Sequence, residues 1–339
     1  MKYKLFGNTG LKVSELCLGT MTFGTEWGWG CDYDTSKKIF EKYKDFGGNF
    51  IDTANVYTFG TSEKYCGEFI KNERDFWVLA TKFTLYEDYN NPNGAGNGRK
   101  NMVQSVEKSL KRLDTDYIDI LWLHAWDETT KIDEILRGLD DLVSSGKVLY
   151  IGISDTPAWI VSKANAIAEL KNWSSFAGLQ IEYSLIERTP ERDLLPMAFS
   201  ENMAVTPWGA IAGGALTGKY LNNEKGRLPE DSIRLNEKNT LIAKTVVESA
   251  KELGITPAQL AIKWITQQNY NFIPIIGATK STHLEDSLKS TDIKEIPLEI
   301  IEKLNEVSAI ELGFPHKFLK TDRMKDFIFG GTQSKLIKK

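Results

Sequence analysis

The sequence predicts an α/β protein of the (β/α)8, or TIM, barrel class, and three observations carry the prediction. Short apolar runs alternate with segments of helical period along most of the chain. The runs number eight, and the 339 residues exceed the ~250 that such a barrel commonly takes as one domain. One domain spanning 1–339 is therefore expected, with 311–339 as a C-terminal tail carrying an extra helix. The competing topology, an open doubly wound sheet, less often needs eight units.

Residues 3–5 and 11–13 flank Gly7-Asn8-Thr9-Gly10, the pattern of an N-terminal β-hairpin that can plug one end of a barrel. The eight runs follow at 16–18, 49–51, 77–80, 117–123, 148–153, 178–181, 203–206 and 272–276. Between them the apolar spacing changes to that of a helix. Ile132, Ile135, Leu136, Leu139, Leu142 and Val143 form one stripe, with Gly146 as the left-handed residue that ends it. Val103, Val106, Leu110 and Leu113 are expected to share a face, and Thr256-Pro257 reads as an N-cap followed by proline at the first helical position, before a stripe of Leu260, Ala261, Trp264 and Ile265. Two inserts, 84–98 and 209–236, have loop chemistry and follow strands, which makes long loops at the C-terminal face and candidate lids.

Composition excludes several classes of function. A formal net charge of -4 offers no basic patch for nucleic acid or an acidic membrane surface, and a small-molecule partner is expected. Cys17, Cys31 and Cys66 are odd in number and contain no Cys-x-x-Cys pair, which suggests neither a disulfide framework nor a metal site. There is no signal-peptide pattern and no run of the ~18 apolar residues that a membrane helix needs, so a soluble, cytoplasmic protein is expected.

Barrel active sites form where strands end, and here the runs stop at Asp52, Lys82, His124 and Ser154-Asp155, with Gln180 inside the sixth. Tyr57 follows Asp52 by five positions. A tyrosine titrates near ~10, and a neighbouring cation lowers that value by favouring the phenolate. Lys82 is the candidate cation; facing a barrel interior it would tend to lose its proton, and Asp52 supplies the opposite charge that retains it. Singly, Asp52 could cap a turn, Tyr57 pack in a core, Lys82 end a strand in solvent and His124 be an ordinary satisfied histidine. One barrel mouth would bring all four together.

Phe50-Ile51-Asp52-Thr53-Ala54-Asn55-Val56-Tyr57, then Gly60-Thr61-Ser62-Glu63, Ala80-Thr81-Lys82 and Leu121-Trp122-Leu123-His124, together resemble the aldo-keto reductase superfamily over nearly the whole chain. The resemblance implies hydride transfer between NADP(H), or NAD(H) as the alternative cofactor, and an aldehyde or ketone, with alcohol oxidation as the reverse. Tyr57 would be the general acid (base in the oxidative direction), Lys82 would lower its pKa, Asp52 would keep Lys82 charged and His124 would orient the substrate carbonyl. The carboxamide would lie on Ser154, Asp155 and Gln180, although the family usually has Ser-Asn where this chain has Ser154-Asp155. The segment with Trp208, Gly209, Ala210, Ile211, Gly213 and Lys219 resembles the one that packs on the nicotinamide and covers the pyrophosphate; typical members have Ser-Pro at Gly209-Ala210. Residues 276–286 resemble the adenosine-phosphate segment, with Gly277, Thr279, Lys280, His283 and Asp286 as contacts and Lys280 on the 2′-phosphate. Thr282 and Glu285 have the spacing of a capping box at a helix N-terminus.

Trp27, Trp29, Phe59, Tyr86 and Trp126 follow strand ends and are candidates for an apolar substrate cup. The tail aromatics Phe314, Phe318, Phe327 and Phe329, with His316, are candidates to cover it. Two other readings remain open at this stage: a reductase-like subunit that senses cofactor redox state with little turnover, and a lyase using Lys82 as a Schiff-base amine.

Overall fold

Ten strands and twelve α-helices alternate in the computed structural model, which describes residues 1–222 and 224–336; the last three residues of the expected tail lie outside the described residues. The strands are β1 (Tyr3–Leu5), β2 (Lys12–Ser14), β3 (Cys17–Gly19), β4 (Phe50–Asp52), β5 (Val78–Phe83), β6 (Ile118–Leu123), β7 (Val148–Ser154), β8 (Phe176–Glu182), β9 (Ala204–Trp208) and β10 (Ile275–Ile276). The helices are α1 (Tyr33–Asp45), α2 (Thr61–Ile70), α3 (Arg99–Leu113), α4 (Ile132–Ser144), α5 (Ala158–Lys171), α6 (Leu194–Ser200), α7 (Glu237–Leu253), α8 (Pro257–Thr266), α9 (Ser281–Leu288), α10 (Leu298–Val307), α11 (His316–Leu319) and α12 (Asp322–Phe329). Strands β3 to β10 form one eight-stranded sheet in the order β10-β3-β4-β5-β6-β7-β8-β9, paired in parallel throughout. Phe272 closes the ring through a parallel bridge to Val205, with Ile273 N–H donating to Val205 O at 2.8 Å. All eight expected strands and the β1–β2 hairpin are present.

Successive strand residues point to opposite faces of a sheet, and this parity builds the site. Phe50, Val78, Ala80, Ile120, Trp122 and Ala204 pack inside the barrel with Phe6 from the hairpin, while a second core lies between the strands and the helices. Trp122 fills the interior because β7 and β8 make room: a Cβ on Gly152 would stand 2.3 Å from the indole, and one on Gly178 would stand 2.3 Å from Phe6. Two residues further along the same inward face come Asp52, Lys82, His124, Ser154 and Gln180.

Helix α4 buries Ile132, Ile135, Leu136, Leu139 and Leu142, and Gly146 takes φ 75° one residue past its C-cap. Thr256 and Gln259 form a reciprocal capping box at the start of α8, with Pro257 at its first position. Two helix expectations are corrected. On α3 the buried face is Met102, Ser105, Val106, Ser109 and Leu113, so Val103 is exposed: the polar Ser105 and Ser109 face inward and rotate the stripe. Helix α9 begins at Ser281 behind Lys280, with no side-chain cap, and Glu285 is drawn instead into ion pairs with Lys42 (3.3 Å) and Lys289 (3.1 Å).

The tail is tied at its root, where Lys238 donates to Ala309 O (3.0 Å) and Arg192 to Glu311 O (2.8 Å). Beyond it Phe314, Phe318 and Phe327 are 83%, 50% and 69% exposed. Among the described residues these aromatics therefore face solvent rather than close a substrate mouth, because α12 buries none of its side chains. No helix of the described residues is long and apolar enough to cross a membrane.

Candidate active site

Asp52, the last residue of β4, pairs in register with Ala80, and Lys82 pairs with Trp122 one strand over. That stagger brings the carboxylate and ammonium together across adjacent strand ends. Lys82 Nζ donates to Asp52 Oδ2 at 2.5 Å, to Thr53 O at 2.8 Å and to the Tyr57 hydroxyl at 3.2 Å, so its three protons are all used. Lys82 is 1% exposed and Asp52 2%.

Tyr57 is delivered by a strained turn rather than by a strand. Thr58 (φ 46°), Phe59 (φ 53°) and Gly60 (φ 90°) are consecutive left-handed residues, a conformation costing ~1–2 kcal/mol for each residue that carries a Cβ. Its anchors are buried: Thr58 donates to Phe23 O at 2.6 Å, and Ser62 links Thr53 and Thr20. Gly60 has no alternative, since a Cβ there would stand 2.6 Å from Arg112. Arg112 ties Glu63 (2.5 Å) to Glu87 (2.6 Å), and Glu63, fully buried, also accepts from Thr81 beside Lys82. Sequence reasoning quoted Glu63 inside the tyrosine segment but missed Arg112, whose partners lie in other elements.

Burial lowers the Lys82 ammonium, but Asp52 and Tyr57 outweigh it and hold the amine above its ordinary value. Burial raises the Tyr57 phenol, Lys82 opposes this and Asp52 adds to it, with a net upward direction. The expected net lowering of Tyr57 is thus not reached: desolvation exceeds the cation, and the phenol is held protonated. His124, its ring 6.1 Å from that of Tyr57, is lowered to about 3 by burial and by the Lys82 charge. It is therefore neutral. Its Nδ1 is buried with no partner among the described residues, and a buried N–H without an acceptor costs more than an idle lone pair. The proton belongs on Nε2. The arrangement holds a protonated phenol over a fixed ammonium, with a neutral imidazole N–H beside it.

Ser154 and Gln180 are nearly fully buried at the adjacent ends of β7 and β8, where they pair in register. Asp155 follows with φ 40° and reaches the surface of the mouth; crowding by protein raises its carboxyl, while Trp208 and Ser154 pull it back. Trp208 ends β9, and the loop after it turns on left-handed Gly209, Ala212, Gly213 and Gly214 with Ala210 buried and Ile211 packed on the core. The loop folds back on itself: a Cβ on Gly213 would meet Leu228 at 2.9 Å and one on Gly214 would meet Lys219 at 2.8 Å. Lys219 lies 5.0 Å over the Tyr220 ring. The same loop carries Arg227, which the sequence did not single out. Its guanidinium lies 4.6 Å over Trp29, next to Met21, and among the described residues it makes no ion pair. Burial and nearby Arg234 lower its pKa.

Gly277, Thr279, Lys280 and His283 are exposed around the start of α9. Asp286 faces the other way and accepts from Thr256 (2.9 Å) and Gln259 (2.7 Å), joining α9 to the start of α8. Of the aromatic candidates, Trp27 stands 6.2 Å from the Tyr57 ring and adjoins Trp29 (5.6 Å) and Phe59 (6.4 Å). Tyr86 pairs with Tyr89 in the loop after β5, and Trp126 donates its backbone N–H to Asp155 O at 3.3 Å.

That loop is pinned beside the site. Thr84, at φ 107°, donates to Asn97 Oδ1 (2.7 Å) and its hydroxyl accepts from His124 N–H (3.3 Å), while Asn97 N–H donates to Asp127 (2.8 Å). Burial pushes the Asp127 carboxyl up, but hydrogen bonds from Thr130, Asn97 and Thr129 win and hold it at about 2. A depressed carboxyl contributes stability above its unfolded value near ~4, lost as pH falls toward 2. The gap in urea midpoint between wild type and Asp127→Ala should therefore be full at pH 6 and shrink between pH 4 and 2. A gap constant with pH would exclude a contribution from the charge.

Residues 15–309 match the aldo/keto reductase family model. The chain is 36% identical to norsolorinic acid reductase of Aspergillus flavus over 327 residues, covering 93% of this chain and 83% of the relative. It is 38% identical to aryl-alcohol dehydrogenase [NADP(+)] of Phanerodontia chrysosporium over 330 residues, covering 91% of this chain and 86% of the relative. With a matching fold and a tyrosine, lysine, aspartate and histidine gathered at the strand ends, the chain belongs to the aldo/keto reductase family, oxidoreductases acting on carbonyl or alcohol groups.

Proposed function

We propose that the protein is an NADP(H)-dependent reductase of aromatic aldehydes or ketones, working in reverse on aryl alcohols. The observation that carries this reading is the Tyr57 hydroxyl 3.2 Å from an ammonium locked 2.5 Å from Asp52. Tyr57 donates a proton to the carbonyl oxygen, and Lys82 stabilises the phenolate left behind. His124 directs Nε2–H at the same oxygen and holds it in line with the phenol. Bound at this mouth, a nicotinamide supplies the hydride that balances the reduction.

The residues fit such a cofactor. Ser154, Asp155 and Gln180 offer one hydroxyl donor and several acceptors, the complement of a primary amide. Lys219 and Arg227 give the loop after β9 two cations for a pyrophosphate, and the exposed start of α9 presents Lys280, His283 and free backbone N–H groups to a phosphate. Trp27, Trp29 and Phe59 form the apolar wall beside Tyr57, suited to a flat aromatic carbonyl. Relatives named for aryl alcohols and for norsolorinic acid support that class.

The test is NADPH oxidation dependent on a panel of aromatic aldehydes, measured for wild type and for Tyr57→Phe. No turnover across the panel, despite tight NADPH binding, would remove the reading. A charged hydrogen bond to phosphate is worth ~1.5–3 kcal/mol, so Lys280→Met should weaken NADPH at least about tenfold and leave NADH nearly unchanged by fluorescence titration. Equal loss for both nucleotides would detach Lys280 from the 2′-phosphate.

A further inference from the structure

Behind the turn that carries Tyr57, a chain of charged groups runs through three elements. Glu63, in the first turn of α2, is fully buried: Oε1 accepts from the Thr81 hydroxyl at 2.6 Å and Oε2 from Arg112 Nε at 2.5 Å. Thr81 precedes Lys82 on β5, so Glu63 fastens the helix that follows Tyr57 to the strand that carries the ammonium. Arg112 Nη2 donates to Glu87 Oε1 at 2.6 Å, and Lys108 meets the other oxygen of Glu87 at 3.1 Å. Glu87 follows Tyr86 in the loop after β5, beside the mouth. Gly67 brings α2 close enough to the end of α3 for this chain to form, since a Cβ there would stand 2.3 Å from Leu113 O.

We propose that Arg112 is a positioning residue, fixing the reach of Tyr57 to Lys82 and, with the same guanidinium, holding the loop after β5 in place as a wall of the substrate mouth. The proposal rests on the tyrosine reading above and extends it to a residue outside the mouth. Left-handed Thr58 and Phe59 persist only while their surroundings hold them. Arg112 holds the end of that turn twice, with its stem against Gly60, where a Cβ would stand 2.6 Å from Cδ, and with Nε on Glu63 three residues on. Burial lowers the guanidinium, but Glu63 and then Glu87 outweigh it and keep it above its ordinary value. One planar group with several fixed donors can serve both carboxylates, which a lysine's single ammonium cannot do in the same geometry. Without it, Glu63 and Glu87 would be like charges facing one space, and their repulsion would part the turn from the loop.

The consequence for Tyr57 has a definite sign. A retreat of the turn lengthens the 3.2 Å bond from Lys82 and weakens the cation that lowers the phenol, so the phenol rises. The charged and titratable neighbours of Tyr57 are Asp52 on β4, Lys82 on β5, His124 after β6, Asp155 after β7 and Arg227 in the loop after β9. Arg112 faces Glu63, Glu87 and Lys108 instead. A shifted tyrosine limb in an Arg112 variant therefore reports altered geometry.

The test uses NADPH-dependent reduction of 2-naphthaldehyde. Arg112→Met should lower kcat by about 10²-fold, the cost of misplacing a reacting group by roughly 1 Å, and move the alkaline limb of kcat upward. Glu87→Gln loses only the arm to the loop. It should raise KM by about two- to tenfold, the cost of ordering one rotamer-rich side chain, while kcat changes far less than in Arg112→Met. A wild-type kcat and limb in Arg112→Met overturn the positioning of Tyr57, and a wild-type KM in Glu87→Gln overturns the hold on the loop. Arg112→Met combined with Glu63→Gln covers poor folding of the single variant, because the buried carboxylate is gone while Thr81 keeps its acceptor. Its urea midpoint should recover with kcat still low; recovery of both would leave Arg112 a purely structural role and overturn the proposal. Tyr57→Phe measured alongside separates the failures. Full turnover there removes the tyrosine reading itself, whereas lost turnover there with wild-type kinetics in Arg112→Met overturns the role of Arg112 alone.

Discussion

Tyr57→Phe is expected to slow carbonyl reduction by about 10²- to 10⁴-fold, the range for loss of a positioned general acid, while NADPH affinity is retained. The phenol is the group whose proton Lys82 makes easier to release, and phenylalanine keeps its ring, its packing against Trp27 and the turn that carries it. Binding and folding should therefore survive while the proton-transfer step does not. The pH profile adds a second check. His124 is held neutral with a value of about 3, so it should contribute no limb between pH 5 and 8, and any alkaline limb present in wild type should vanish from the residual activity of Tyr57→Phe. Wild-type rates in this variant, or a His124-dependent limb near neutrality, would refute the assignment.

The parts of this site that could be read from sequence are those tied to strand ends. Parity along a strand is fixed by backbone geometry, so once Phe50, Ala80 and Trp122 are inward, Asp52, Lys82 and His124 must follow them. The three residues need no tertiary information beyond the barrel itself. What could not be read lies in the loops and in side-chain orientation. Arg112 and Arg227 act through partners or rings in other segments, with no local pattern to mark them. Asp286 points to α8 rather than to the mouth because Thr256 and Gln259 need an acceptor there, and Gln180 turns to Asp52 for the same kind of reason. Glu285, spaced for a cap, finds two lysines instead. The net direction for Tyr57 was missed because a sequence names the nearby cation but not the depth of burial that opposes it.

Lys82→Met is expected to lower unfolding stability by about 3–5 kcal/mol, the cost of leaving one member of a buried ion pair alone. The orphaned Asp52 would keep only the Gln180 amide in a place almost closed to water, and it would take up a proton to escape. Its folded value would then lie above its unfolded one, so the variant should be relatively more stable in acid and lose that stability as pH rises through the raised value. Asp52→Asn should be costly for the mirror reason, since Lys82 would then face only Thr53 O and the Tyr57 hydroxyl and would shed its proton. Combining the two removes both charges and with them the penalty of an unpaired one. The double variant should be more stable than either single, giving a coupling energy of several kcal/mol in urea denaturation, yet it should remain as inactive as Lys82→Met because no cation is left beneath Tyr57. Recovery of stability without recovery of rate would separate what the pair does for the fold from what it does for the proton. Strict additivity of the two substitutions would instead mean that Asp52 and Lys82 do not depend on each other for their charge.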